Sequence, residues 1–174
     1  FNQKEGLTPD RLYSNVRKYG GIVIPHHVSA TWGMVSAATD WDFSEQDIER
    51  VCEIFSRHAP FEKKGTMSPY TKNNQRLDGK YVQDALAKGH RFGFIAGSDT
   101  HQLEAGIEGG IAAIFSNKLG RKELFDSLFN RFVYATTGAQ ILVSLKVNGA
   151  RMGSEIKVNK GERIKVEIDV LGAD

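Results

Sequence analysis

Apolar positions between residues 8 and 138 recur in two alternating rhythms, helical spacing followed by short unbroken runs. Thr8-Pro9-Asp10 supplies a capping hydroxyl, a proline for the first helical position and an acid for the first turn. Leu12, Val16 and Tyr19 continue at helical spacing until Gly20-Gly21 stops them. Ile22 to Ile24 then reads as a short buried strand that ends in Pro25-His26-His27. The stretch from Val28 to Asp42 reads as a long loop. Ser44, Glu45, Gln46 and Asp47 open a second predicted helix with Ile48 and Val51 facing inward. Cys52 to Ser56 is the next predicted strand, apolar on both faces and followed by Arg57-His58.

A polar segment from Glu62 to Asp78 is longer than a simple connection requires. Beyond it, Tyr81 to Lys88 is predicted helical with Val82, Ala85 and Leu86 inward, and Gly89 closes it. That helix feeds the strand Phe92 to Ala96, which runs out into Gly97-Ser98-Asp99-Thr100-His101. Ile111 to Phe115 is read as a strand. Lys122 to Arg131 is read as a helix with Leu124, Phe125, Leu128 and Phe129 as its apolar set, and Phe132 to Ala135 as a returning strand. Helix and strand in alternation predict an α/β fold with a parallel sheet over residues 1–138.

After Gly138 the period changes to two. Ile141, Val143, Leu145 and Val147 alternate, Asn148-Gly149 is a hairpin signal, and Ile164, Val166, Ile168 and Val170 alternate again. Residues 139–174 are therefore expected to form an antiparallel β extension, the start of a β domain. Phe1 is not an initiator methionine and the strand pattern is still running at Val170, so a piece of a longer protein is expected.

Composition narrows the classes. A quarter of the 174 residues are charged and the formal net charge is +2, so bulk electrostatics point to neither nucleic acid nor a membrane surface. No apolar run is long enough to span a bilayer. A soluble protein of the cytoplasm or periplasm is expected. Cys52 is the only cysteine, which excludes an intrachain disulfide and a thiol-rich metal site. It lies in an apolar run and reads as a small core residue.

The chemistry concentrates where predicted strands end. Four of the five histidines lie at or just past such ends, as His26-His27, His58 and His101. Asp99 and His101 are two residues apart and can turn toward one point. Functional groups collect at the carboxyl ends of strands in parallel α/β architectures. Imidazole and carboxylate donors suit zinc, manganese or iron, and such an ion makes water a nucleophile near neutral pH. His26, His27, Asp99 and His101 are the candidate metal ligands, with one of the adjacent pair alternatively a buried histidine satisfied by backbone. Glu53 is a candidate ligand or base, or a carboxylate that orients a neighbouring imidazole. His58 is a candidate catalytic residue, or a surface residue. His90 is expected to face the negative end of its helix. Trp32 and Trp41 either line a pocket or pack the loop. The basic residues of the 62–78 segment are either solvated or grip a phosphate. No nucleophile elbow, P-loop or dinucleotide fingerprint competes with this reading.

The runs Gly20 to His27, Asp40-Trp41, Glu53 to His58, Gly93 to His101, Arg131 with Tyr134 to Gly138, and Val147 to Gly153 resemble, in order, the C-terminal part of the DUF3604 group. That group belongs to the PHP (polymerase and histidinol phosphatase) superfamily of metal-dependent phosphoesterases. The resemblance implies a distorted TIM-like (β/α)7 barrel with two or three divalent metal ions at its strand ends, acting on a phosphorylated small molecule. His26 matches the family's histidine after a middle strand, and Asp99 and His101 match its final Asp-x-His motif. His27 stands where related proteins often carry proline, and Glu53 matches a recurrent acid. The family's opening His-x-His strand and its next ligands would precede residue 1, so a missing N-terminal segment or another subunit is expected to complete the barrel. The isolated chain is then expected to bind metal incompletely and to be inactive. The alternative is a non-catalytic metal- or ligand-binding module with a degenerate site.

Overall fold

The computed structural model describes residues 8–32, 35–66, 75–101, 106 and 109–172. The fold is mixed α/β, with short helices set among four small sheets. Helix α1 (Pro9–Lys18) is followed by a short hairpin, β1 (Thr31–Trp32) and β2 (Val35–Ser36), and then by β3 (Val51–Ser56) and β4 (Ala59–Pro60). Helix α2 (Val82–Ala87) leads to β5 (Gly93–Ala96); β6 (Ile111–Ile114), helix α3 (Arg121–Phe129) and β7 (Val133–Thr136) follow. Strands β8 (Leu142–Val147), β9 (Ala150–Arg151) and β10 (Val166–Leu171) complete the chain. Among the described residues no helix is long and apolar enough to cross a membrane.

The strand pair that positions the site is β3 and β5, which run parallel with Val51 opposite Gly93 and Phe55 opposite Ala96. A register shift between Glu53 and Phe55 inserts a bulge in β3. Alternation along β3 turns Cys52 and Ile54 toward a core of Val28, Trp41, Phe61, Val82, Ala85 and Phe92, and turns Val51, Glu53 and Phe55 to the other face. Cys52 is fully buried and its thiol is pushed well above its ordinary pKa, mainly by loss of solvent. Gly93 lets β7 lie flush beside β5, since a Cβ there would come within 2.7 Å of Val133 Cγ2.

Several local expectations are corrected. Residues 22–24 are extended beside β3, with Val23 N–H donating to the Ile48 carbonyl and Glu53 N–H to that of Pro25. They do not build a regular strand, because Pro25 has no N–H to continue the ladder. The predicted helix at Ser44 is a single turn closed by Glu49 N–H on the Glu45 carbonyl. It stops because Glu49 turns inward and receives hydroxyls from Tyr13, at 2.5 Å, and from Ser44. The Val28–Asp42 loop contains the β1–β2 hairpin and a 3-10 turn at Trp41–Phe43. Leu86 faces solvent, because a six-residue helix presents only Val82 and Ala85 to the core.

Among the described residues parallel pairing is found at β3–β5 alone. Strands β6 and β7 pair antiparallel, Ile111 opposite Thr136, although a helix joins them; periodicity marks an element, not the direction in which it runs. The residue that α3 buries is Ser127, whose hydroxyl donates to the Phe115 carbonyl at 2.7 Å, while Phe129 is exposed. At the end of α2 the His90 backbone N–H donates to the Ala85 carbonyl, while its ring packs against Trp41 and Phe92. Of the polar 62–78 segment, residues 67–74 lie outside the described part.

Strands β8, β9 and β10 form a three-stranded antiparallel sheet. β8 pairs antiparallel with β9 and with β10, and Asn148-Gly149, both at positive φ, make the β8–β9 turn. It is tied to the rest by Tyr134, whose hydroxyl donates to the Ile141 carbonyl at 2.7 Å. Arg131 adds a bond to the Gly153 carbonyl and an ion pair with Glu155.

Burial raises the pKa of Glu49, so its folded value exceeds its unfolded one. The stability this contributes is complete below the unfolded value and is lost as pH rises through the raised one. Glu49→Gln is therefore expected to lose less stability than the wild type between pH values of about 4.5 and 7, in urea denaturation at the two pH values.

Candidate metal centre

Three chain segments deliver the cluster. The extended run from Ile22 ends at His26 and His27, and His27 sits at φ 54°. The tight turn between β3 and β4 carries His58, whose backbone N–H is held by Ser56 Oγ at 3.2 Å. The loop after β5 carries Asp99, at φ 48°, and His101. Two non-glycine residues held in the left-handed region within one cluster mark backbone strain at this place.

The imidazoles converge on one carboxylate. His27 Nε2 bonds Asp99 Oδ2, and His58 Nε2 lies 3.1 Å from the same oxygen. His26 Nε2 and His101 Nε2 stand 3.8 and 3.9 Å from Asp99 Oδ1. The other ring nitrogen of His26 bonds Glu53 Oε2. The rings of His26 and His27 stack with centroids 3.6 Å apart. Burial grades across the site: the Asp99 side chain is 12% exposed and that of His27 14%, whereas that of His101 is 88% exposed. His101 is thus at the rim.

Glu53 supplies a further observation. Its carboxylate is buried, one oxygen engaged by His26, and the other, Oε1, has no hydrogen-bond partner. Buried polar atoms are normally paired, and an orphaned carboxylate oxygen costs on the order of 1–3 kcal/mol, more if charged. The donors group as two overlapping triads, His26-His27-Glu53 and His27-His58-Asp99. Nitrogen and carboxylate oxygen in such triads fit a divalent ion of the zinc, manganese or iron kind.

The electrostatics follow from these contacts. The hydrogen bond that His26 donates to Glu53 raises the pKa of His26, against some loss of solvent. Loss of solvent lowers the pKa of His58, despite the Asp99 charge beside it. His58 is therefore neutral at pH 7.

All six residues singled out from sequence are linked by hydrogen-bond or ion-pair contacts through Asp99 and Glu53, with His101 at the exposed rim. His58 is a member of the cluster, not a remote surface residue. Trp32 forms a wall, its ring 4.8 Å from that of His27 and 5.9 Å from that of His58, while Trp41 is buried in the core. Arg76 emerges from the polar segment as a neighbour: it donates to the His58 carbonyl at 3.2 Å and packs over Phe61. No spacing motif pointed to Arg76. It is drawn in by backbone bonds between residues 29–31 and 75–77.

The fold and the cluster define a mixed α/β protein with a histidine–carboxylate site at its strand ends. An uncharacterised protein of Chlamydia pneumoniae is 28% identical over 177 residues, covering 93% of this chain and 27% of that protein. An uncharacterised protein of Chlamydia muridarum is 31% identical over 169 residues, covering 84% of this chain and 25% of that protein. The chain thus spans about a quarter of the length of these curated relatives. No family model and no solved structure matches it.

His26→Ala strips Glu53 of its donor. The expected cost in denaturant melts is about 1–3 kcal/mol, and much less when Glu53 is already replaced by Gln. Because the folded pKa of His26 is raised, this difference should be largest below about pH 6.5 and shrink as pH rises through the raised value.

Proposed function

We propose that this chain is the distal part of a metal-dependent hydrolase of the PHP type, a phosphoesterase whose remaining strands and ligands come from an N-terminal segment or another subunit. The observation that carries the reading is the convergence of His26, His27, His58 and Asp99, with Glu53 holding a buried, unpartnered oxygen beside them. A partial barrel is compatible with parallel β3–β5 and with β7 lying flush against β5.

In this reading His26, His27, Glu53 and Asp99 would hold the ions, His58 stays unligated beside them, and His101 closes the rim. A bound divalent ion supplies Lewis acidity at a substrate oxygen and makes water a nucleophile near neutral pH. Glu53 accepts from His26 Nδ1 and so fixes the ring with Nε2 turned toward Asp99. Asp99 engages Nε2 of both His27, by a hydrogen bond, and His58, 3.1 Å away. His58, neutral at pH 7 and partly open to solvent, has the protonation state to accept a proton from attacking water. Trp32 and Phe61 wall the His27 side and limit access of solvent. Arg76, held at the His58 carbonyl, is a cation available to an anionic ester.

A non-catalytic metal- or ligand-binding module is the second reading, favoured by the direct bonds of His26 to Glu53 and of His27 to Asp99. Metal analysis separates the two: two or three manganese, iron or zinc ions per full-length protein are expected of the hydrolase. Asp99→Ala in the full-length protein is expected to lower turnover of phosphorylated substrates at least 100-fold, as removing a group central to a charged site does. Full-length protein that carries no ion and turns over no phosphate ester would end the enzyme reading. Co2+ binding should quench Trp32 fluorescence, a response that Trp32→Phe abolishes and Glu53→Gln weakens about 10–100-fold in affinity.

A further inference from the structure

We propose that Gly109 is a positioning residue: its bare backbone is the spacer that sets His58 against Asp99. The inference deepens the hydrolase reading, on which only its effect on turnover rests. His58 and Asp99 stand in different loops, the β3–β4 turn and the stretch after β5, with Nε2 of the one 3.1 Å from Oδ2 of the other. A displacement of about half an ångström in either backbone would carry that contact beyond hydrogen-bond range. The β3–β5 ladder does not hold it in place, because its last pair is Phe55 and Ala96, three residues before each of them.

Gly109 meets both loops. A Cβ there would come within 2.8 Å of Ser98 Cα, 2.9 Å of the Ser98 carbonyl oxygen and 3.1 Å of the Arg57 backbone nitrogen. Ser98 immediately precedes Asp99, and Arg57 immediately precedes His58. The two backbones thus close on Gly109 to a spacing that leaves no room for a methyl group. The spacer is clamped as well. Gly110, which is buried, donates its N–H to the Gly97 carbonyl at 2.9 Å, and Gly97 N–H donates to that of Phe55 at 3.1 Å. A Cβ on Gly110 would overlap that of Ala96 and stand 3.0 Å from Phe55 Cδ1, so the clamp begins where the ladder stops. From the far side, a Cβ on Gly138 would stand 2.8 Å from the Gly109 carbonyl oxygen. Gly109 also sits at φ 83°, which glycine adopts without strain and other residues rarely do. Side-chain tips can swing aside, but the atoms crowding Gly109 are main chain. A methyl group there must therefore push the backbone of Ser98 or Arg57, and the push passes to Asp99 or His58 next door.

A double-mutant cycle of His58→Gln and Asp99→Asn tests the spacer in full-length protein stripped of metal by a chelator. The readout is amide exchange of β3 and β5, which follows local opening and needs no global unfolding. With Gly109 in place the two side chains are expected to couple about fivefold in the opening constant, and in Gly109→Ala the coupling should vanish. Gly89→Ala is the matched control: Gly89 sits at φ 93° with nothing described within 4 Å, so alanine there brings the backbone strain without the wedge, and the coupling should survive. Should Gly109→Ala not fold, Gly138→Ala pushes the same segment through the Gly109 carbonyl and leaves the dihedrals of Gly109 to glycine; it too should lose the coupling. In metal-loaded protein Gly109→Ala should turn over phosphorylated substrates about 100-fold more slowly, and Gly89→Ala at the wild-type rate. Undiminished coupling in a folded Gly109→Ala or Gly138→Ala variant overturns the proposal, even where ions bind. Absence of coupling with Gly109 in place overturns it as well, since His58 and Asp99 are then not set against each other. Protein that binds no ion and turns over no ester, yet loses the coupling in Gly109→Ala, ends the enzyme reading and leaves the spacer standing.

Discussion

One carboxylate holds the candidate site together. Asp99 sits at the end of β5, largely shielded, and His27 and His58 reach it from segments 72 and about 40 residues away in sequence. Shielding makes the arrangement strict: a partly buried anion needs donors, and donors that share it are drawn within a few ångströms of one another. Glu53 repeats the logic on the neighbouring strand, with His26 as its donor. Glu53 stands on β3 and Asp99 just past the end of its parallel neighbour β5, which is why imidazoles so far apart in the chain end up side by side. The left-handed conformations at His27 and Asp99 are tolerated at these positions because the surrounding contacts over-determine them.

How much of this was legible in the sequence depends on which physics each element uses. The strands β3 and β5 announce themselves as apolar runs, and the histidines just past them are visible without any structure. Ser56 and His58 are placed by a two-residue turn into β4, which no alternation signalled because β4 is itself only two residues long. The inward turn of Glu49 was hidden for another reason. A glutamate beside Glu45 and Asp47 looks like a solvated helix face, and only tertiary hydroxyls from Tyr13 and Ser44 make its burial tolerable. The antiparallel course of β6 and β7 was equally beyond reach, since a helical connection is the usual mark of parallel neighbours and nothing in the residues says which way the second strand runs. Arg76 joined the site through backbone pairing to residues 29–31, a contact with no local signature.

The β extension stands in a different relation to the chemistry. It is fastened to the α/β part by polar groups: the Tyr134 hydroxyl, the Arg131 guanidinium and the Glu155 carboxylate shared with Arg91. Attachment by directional bonds fixes its orientation without burying much apolar surface, and its own apolar face stays open. The core, by contrast, is built around Trp41, Phe61 and the one cysteine, in a layer between α2 and β3.

That cysteine has a practical consequence. Cys52 has no solvent access, and its thiol is held in the uncharged form that neither alkylating reagents nor disulfides attack readily. Its reactivity therefore reports the opening of the strand that carries Glu53. A single native sulfur, with no engineered probe, becomes a clock for how often the sheet beneath the histidines comes apart.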